Sequence, residues 1–318
     1  MSDAVLAVPG DIATPTGGYG YARRLLAEAG RAGWALRHLA LPGGFPFPDE
    51  AALAESARLL AAVPAGVPLI VDGLAFGALP AEVLRPVRAP LVALCHHPLA
   101  GETGLSPEAA AGLGASERAA FAHARAVVAS SAATARELER DYGVAGARVA
   151  RPGTDPAPPA AGSGGPGALI LSVGALVPRK GHARLIGALA RLTDLDWRCR
   201  IVGPADRDGA EAGRIQRLIA DLGLGARVSL DGALGEEALG EAYHRTDVFA
   251  LASAHEGFGM VFAEAVARAL PTLGPDLAAV AEATAGGAWL VPADDAEGYA
   301  AALRRLIAEP EARAAWSR

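Results

Sequence analysis

Cysteine is nearly missing from this chain. Two among 318 residues, Cys95 and Cys199, make neither a disulfide framework nor a metal cluster. Lysine is scarcer still: of 29 basic residues only Lys180 is lysine, and the rest are arginine. A GC-rich coding bias accounts for that, and for the abundance of Ala, Gly and Pro. No apolar run approaches the ~18–20 residues of a membrane helix, because Gly, Pro or Arg interrupts every candidate. The N-terminus, MSDAVLAVPGDI, lacks a basic stretch followed by a long apolar one, so no signal peptide is expected and the location reads as cytoplasmic. A basic face is missing too. The net charge is −6 and charge runs are absent, which argues against nucleic acid as a partner. Residues 1–165 hold 13 arginines against 15 acidic residues, so strong association with anionic membranes is not expected either.

What the chain does have is 52% hydrophobic residues, 39 Gly and 23 Pro. That is enough to bury a sizeable core, and the length suits two domains. Apolar runs alternate with helical patterns. Strands are expected at 4–10, 34–41, 68–73, 89–98 and 126–132, with helices at 19–33, 50–63, 106–124 and 133–143. The segment RPGTDPAPPAAGSGGPG (151–167) is too rich in Pro and Gly for either and reads as a linker. Beyond it, strands are expected at 168–176, 196–205, 226–232, 247–253 and 288–293. The helices between and after them are expected at 182–193, 210–224, 235–246, 259–270 and 296–309. This alternation implies an α/β chain of two parallel-sheet domains, 1–160 and 161–318. Such sheets bind ligands on loops beyond the carboxyl ends of their strands.

The strongest chemical signal is HEGFGMVFAEA (255–265), in which seven residues separate Glu256 from Glu264. Glu256 sits on a Gly-rich turn after a strand, and Glu264 lies inside the next helix. Turn amides and a helix start suit an anion such as a diphosphate. The flanking carboxylates could hold vicinal hydroxyls on either side, as in a nucleotide sugar. Two solvated glutamates at a loop–helix junction fit the spacing equally well. Arg179 and Lys180 follow another strand and suit a doubly charged leaving group, or else cap the next helix. His96 and His97 end an inner strand. Gly17 and Gly18 lie between the first strand and the first helix, where bare backbone can approach a ligand. Asp206 and Asp208 form a D-x-D sequence but read as a solvated loop. Asp294 and Asp295 read as the cap of the last clear helix. Ser130 and Ser131 lack the G-x-S-x-G elbow of a hydrolase.

These segments together resemble the retaining glycosyltransferases of family 4. Glu256 to Glu264 resembles that family's E-x7-E motif, VGALVPRKG (173–181) its phosphate-binding segment, VARPGTDP (149–156) the end of its first domain, and TGGYG (16–20) its first Gly-rich loop. The resemblance implies a GT-B fold, two Rossmann-like domains facing a central cleft, with acceptor on the first domain and nucleotide sugar on the second. It implies that Glu256 contacts the hydroxyls of the transferred sugar and Glu264 those of the ribose. Arg179 and Lys180 would neutralise the diphosphate, and His96 would contact the sugar or reacting region. Gly17 and Gly18 would shape the phosphate and acceptor site. Gly257, Phe258, Gly259, Met260 and Val261 would complete the donor site between the two glutamates. The resemblance does not cover His97. The chain stops at EPEARAAWSR, where relatives run on into a helix that crosses back to the first domain.

The expected function is transfer of a hexose, with retention, from a UDP- or GDP-linked sugar to a soluble small-molecule or glycan acceptor. The nucleotide sugar is a co-substrate, and neither a cofactor nor a metal is expected. Two alternatives share the fold: a catalytically silent nucleotide-sugar-binding subunit, and a nucleotide-sugar epimerase.

Overall fold

A computed structural model describes residues 2–102 and 104–317. It divides into two compact units, Met1–Pro152 and Gly153–Arg318. The division falls eight residues before the boundary expected from the linker composition. The reason is hydrogen bonding. Ala160 N–H donates to the Arg268 carbonyl at 2.8 Å and Ala161 N–H to that of His244 at 2.9 Å. Asp247 accepts from Ser163 and Leu169 amides at 3.1 and 2.8 Å. The Pro- and Gly-rich stretch is thereby bound to the second unit.

The first unit runs β1 (Ser2–Pro9), α1 (Gly17–Glu28), β2 (Trp34–Leu41), α2 (Glu50–Ala61), β3 (Leu69–Asp72), α3 (Gly73–Phe76), α4 (Ala81–Leu84), β4 (Leu91–Cys95), α5 (Pro107–Phe121), β5 (Ala126–Ala129), α6 (Ala132–Tyr142) and β6 (Arg148–Val149). Its strands form one parallel sheet in the order β2-β1-β3-β4-β5-β6. Along β1, Val5 and Ala7 enter one core while Leu6 and Val8 enter the core on the opposite face. Burial on both faces explains why this strand reads as a continuous apolar run. Buried Glu117 of α5 accepts from the Leu99 and Ala100 amides, at 2.7 and 3.3 Å, and from the Tyr142 hydroxyl at 3.0 Å. It thus fixes the turn that follows β4.

The second unit runs β7 (Ala168–Val173), α7 (His182–Ala190), β8 (Trp197–Val202), α8 (Gly209–Asp221), β9 (Val228–Gly232), α9 (Glu236–His244), β10 (Val248–Ala250), α10 (Met260–Val266), β11 (Thr272–Pro275), α11 (Ala278–Thr284), β12 (Trp289–Val291), α12 (Ala296–Ala308) and α13 (Pro310–Ala315). All neighbours in its sheet pair in parallel, in the order β12-β11-β10-β7-β8-β9. Side chains again alternate between two cores: Ile170, Val248 and Ala250 on one face, Leu171, Val173, Phe249 and Leu251 on the other.

Several elements escape the sequence pattern: α3, α4, β6, β11, α11 and α13 are short. Strand β11 reads TLGP, hardly an apolar run. Its Gly274 is needed because the Phe262 ring lies 2.6–3.3 Å from where a Cβ would stand. The aromatic from α10 fills the space that a side chain of the strand would occupy. Asp208 is also not merely solvated. Its Oδ1 accepts the Glu211 amide at 3.0 Å and caps α8. Asp295 does cap α12, accepting the Gly298 amide at 2.7 Å. Among the described residues no helix is long and apolar enough to cross a membrane.

Buried His182 opens α7. Its Nε2 lies 3.1 Å from the Gly174 carbonyl oxygen, which can only accept, so Nε2 carries the proton and Nδ1 faces Ser172 Oγ at 3.4 Å. Burial, with Lys180 nearby, pushes the imidazole pKa down to about 4 against the pull of backbone carbonyls. The folded state therefore resists a proton that the unfolded chain accepts near pH 6.5. The stabilisation is full above pH 6.5 and is lost as pH falls through about 4. Urea unfolding of wild type and His182→Gln across that window should differ in slope. The wild type should lose roughly 3 kcal/mol more than the variant. Parallel pH profiles would show that His182 is not held neutral.

Candidate active site

The strand order of the second sheet reverses between β7 and β10. The loops beyond those two strands, 174–181 and 251–259, therefore open side by side, where parallel sheets take ligands. Their backbones touch. Gly181 has φ +67°, and a Cβ there would overlap the Ala252 carbonyl oxygen, so no other residue allows this approach. The Ala254 amide donates to the Arg179 carbonyl at 2.8 Å, and Arg179 Nη1 donates to the His255 carbonyl at 3.2 Å.

This contact brings three expected site residues together. Lys180 Nζ lies 2.8 and 3.1 Å from the two oxygens of Glu256. Arg179 Nη1 stands 3.9 Å from the same carboxylate. Ser253, fully buried, donates its hydroxyl to Glu256 Oε1 at 2.7 Å. The Lys180 stem lies across Gly174, with carbons 3.1 Å from a Cβ position there. Side-chain exposure is only 15% for Lys180 and 6% for Glu256. Burial alone would raise the Glu256 carboxyl. The charges of Lys180 and Arg179, with the hydrogen bonds from Lys180 and Ser253, outweigh it and hold the group below the usual carboxylate range. The cluster is a small, dry patch with two cations and one anion, a net positive charge at the mouth of a sheet.

Glu264 lies elsewhere on the same segment, in the second turn of α10. Tyr243 donates its hydroxyl to Oε2 at 2.9 Å, and Arg268 lies over the Tyr243 ring at 4.8 Å. Burial raises the Glu264 pKa against the pull of Tyr243 and Arg268, with Asp155 and Glu236 adding to the rise. The two glutamates thus differ in environment: Glu256 is ionised by cations, whereas Glu264 is partly shielded by a phenol. Between them Gly257 is half-buried and Phe258 is buried. Gly259 takes φ +97° to start α10, and Met260 and Val261, half-buried, form its first turn.

The first unit carries a second cluster. His96 follows β4, and its Nε2 is 3.2 Å from Asp72 Oδ2 at the end of β3. Asp72 is buried and its other oxygen accepts the Leu74 amide at 2.9 Å. The Tyr21 ring meets the imidazole edge-on at 5.3 Å between centroids. Ser130 donates to the His96 carbonyl at 2.9 Å. His97 turns elsewhere, to Glu102 at 3.3 Å. Gly17 and Gly18 are not loop residues. Thr16 Oγ1 accepts the Tyr19 amide and caps α1, so both glycines belong to its first turn. Gly18 is there for space, since a Cβ would come within 3.3 Å of the His96 ring.

Three residues of these clusters carry no motif: Asp72, Ser253 and Tyr243. Asp72 had the clearest signal, a carboxylate at the very end of an expected strand. Its partner is 24 positions away, and only the pairing of Asp72 with Leu94 across β3 and β4 puts His96 beside it. Among the described residues, no three His, Cys, Asp or Glu side chains gather as metal ligands would.

Known proteins resemble this chain in sequence and in fold. Residues 157–318 match the family model described as glycosyl transferases group 1. D-inositol 3-phosphate glycosyltransferase 1 of Catenulispora acidiphila is 30% identical over 233 residues, 67% of this chain and 55% of that one. Mannosylfructose-phosphate synthase of Agrobacterium fabrum is 32% identical over 113 residues, 34% of this chain and 25% of that one. The chain spans about half the length of the curated relatives it matches, or less. A sucrose-phosphate synthase structure from Thermosynechococcus elongatus superposes with a TM-score of 0.81 at 21% identity, covering 99% of this chain and 92% of that one. The two parallel six-stranded sheets with flanking helices are those of GT-B glycosyltransferase structures. With half of its residues in the family model and the fold extending over the rest, the chain belongs to the group 1 glycosyl transferases.

Proposed function

We propose that the protein is a retaining, metal-independent hexosyltransferase that takes its sugar from a UDP- or GDP-linked donor and passes it to a soluble small-molecule or glycan acceptor. The observation that carries this reading is the meeting of Arg179, Lys180 and Glu256 at the switch point of the second sheet. Two cations beside a carboxylate match the two ends of a nucleotide sugar's reacting half, its diphosphate and its hexose hydroxyls. A solved structure of Anabaena Alr3699/HepE with UDP and glucose shares the fold at a TM-score of 0.74 and 17% identity, and it supports a donor of that class.

The chemistry follows from charge. Breaking the sugar–phosphate bond leaves a nucleoside diphosphate with a growing negative charge. Arg179 and Lys180 are already in place to receive it, so little reorganisation is needed in the transition state. Fixed cations can do the work that a divalent metal does elsewhere. Lys180 is paired with Glu256. An incoming diphosphate draws Lys180 towards itself and frees the carboxylate for the hydroxyls of the sugar. Ser253 keeps Glu256 aimed during that exchange. Glu264 is assigned to the ribose. In the first unit His96 is assigned to the reacting sugar, with Asp72 as the positioning residue that fixes its ring. Retention is assigned to attack on the face from which the phosphate leaves, with that phosphate helping to take the acceptor proton.

Arg179→Ala and Lys180→Ala should each weaken UDP or GDP binding by about 1.5–3 kcal/mol, read by calorimetry. Affinities equal to wild type would remove the phosphate assignment.

The two glutamates should behave oppositely. Glu264→Gln should weaken free UDP and UDP-glucose by similar factors. Glu256→Gln releases Lys180, so free UDP should bind at least as tightly, while turnover falls roughly ten- to a hundred-fold. Reversed behaviour would mean that the donor lies the other way along the segment.

Turnover should survive excess EDTA. Loss of activity with EDTA and its return with magnesium or manganese would overturn the metal-free mechanism. The same assay separates the other readings. Donor binding without hydrolysis or transfer would indicate a silent subunit, and an altered sugar released without acceptor an epimerase.

A further inference from the structure

The loop from β2 to α2, PGGFPFPD (42–49), is built rigidly around one exposed aromatic. Phe45 packs against the core of the first unit. Gly44 has φ +88°, and the Phe47 amide closes a turn onto its carbonyl at 2.9 Å. Asp49 Oδ1 accepts the Ala52 amide at 2.8 Å and caps α2. Pro46 and Pro48 restrict the backbone on either side of Phe47. The loop thus has an anchor at its start, a closed turn at its middle and a cap at its end. At its tip Phe47 is 60% exposed, the most exposed large hydrophobic among the described residues.

Its position is not arbitrary. Gly43 Cα stands 4.0 Å from where a Cβ on Gly10 would be, and the Tyr19 hydroxyl is 3.5 Å from the same point. Tyr19 donates that hydroxyl to the Pro9 carbonyl at 2.7 Å. The next residue back, Gly18, abuts His96. A continuous rim therefore runs from Gly43, at the base of the Phe47 loop, through the end of β1 and the start of α1 to His96. It follows the carboxyl ends of β2, β1, β3 and β4, which are neighbours in that order.

We infer that Phe47 is a stacking platform for the pyranose ring of a carbohydrate acceptor. This rests on the glycosyltransferase reading above and narrows its acceptor to a sugar. Two facts favour that occupant over others. The loop has no cation: between Arg37 and Arg58 the chain holds no Lys or Arg, and Asp49 and Glu50 follow the tip directly. The loop itself therefore offers no cation to a phosphate or an anionic lipid surface. An aromatic ring with two torsions, held by a fixed loop, offers flat apolar area at little entropic cost. The C–H face of a pyranose needs such a surface, and its edge hydroxyls stay in water.

The test uses the full chain labelled with 4-fluorophenylalanine, the Phe47 fluorine signal being assigned by its loss in Phe47→Leu. Methyl glucoside, methyl mannoside and methyl N-acetylglucosaminide are titrated separately, as are vesicles of phosphatidylcholine with phosphatidylglycerol. At least one glycoside should shift the Phe47 signal saturably. Phe47→Leu should weaken that glycoside between about 2- and 10-fold, and Phe47→Trp should retain it, both read by saturation transfer. UDP affinity, read by calorimetry, should be the same in both variants. A signal that answers to vesicles and to no glycoside would overturn the inference in favour of a membrane contact. One that answers only to protein concentration would overturn it in favour of self-association, and no response to any of these would also refute it. A wild type that binds glycosides at Phe47 but not UDP would sink the donor reading while leaving the sugar platform standing.

Discussion

The second unit's site depends on one backbone contact, the seating of Gly181 against the Ala252 carbonyl. Parallel strands β7 and β10 are neighbours, so their following loops start about a strand spacing apart. Any side chain at position 181 would hold them off. With glycine there, the Arg179 carbonyl can take the Ala254 amide, and Lys180 and Glu256 come within hydrogen-bonding distance. The charged cluster is thus a consequence of a missing Cβ. His182, one residue on, ties the same loop back through Gly174, so the loop is held at both ends.

The Lys180–Glu256 pair is poorly explained as a device for stability. Taking both charges out of water costs several kcal/mol per ion, and a well-packed apolar pair does as well or better. The arrangement makes more sense as a charge held ready. On the proposed reading, Glu256 keeps the only lysine of the chain ordered where a second anion can compete for it. The neighbouring Arg179 adds charge without depending on the same geometry. On that reading Ser253 is the fixed donor that keeps the carboxylate in place.

In the first unit the polar work is done from strand ends. Asp72 closes β3, His96 follows β4, and Ser130 follows β5. Each is presented by an inner strand hydrogen-bonded to a neighbour on either side, so the backbone beneath it is stiff. Glu117 secures the turn just beyond His97 from the helix side. The Phe47 loop belongs to the same edge of the sheet but is built from a connection rather than from a strand end.

Much of this was legible in the chain itself. The apolar run ALILSV announces a buried parallel strand, because parallel sheets leave no polar side to alternate with. The candidate clusters were legible as far as Glu256, Glu264, Arg179, Lys180 and His96 stood on segments that follow strands. What composition and spacing could not supply was partnership. Nothing local pairs Asp72 with His96, Ser253 with Glu256, or Tyr243 with Glu264, because each pair exists only through strand order and helix packing. The start of α1 escapes the sequence pattern for a related reason: two glycines read as loop, and only the Thr16 cap places them in a helix. Strand β11 escapes the sequence pattern because Phe262, ten residues before it opens, supplies its packing. By itself the sequence determined the alternation of elements, and with it the two-sheet architecture, since local periodicity is a property of neighbouring residues. The tertiary structure alone decided which charges meet, since that depends on the order of strands in a sheet and on where a missing side chain lets two backbones touch.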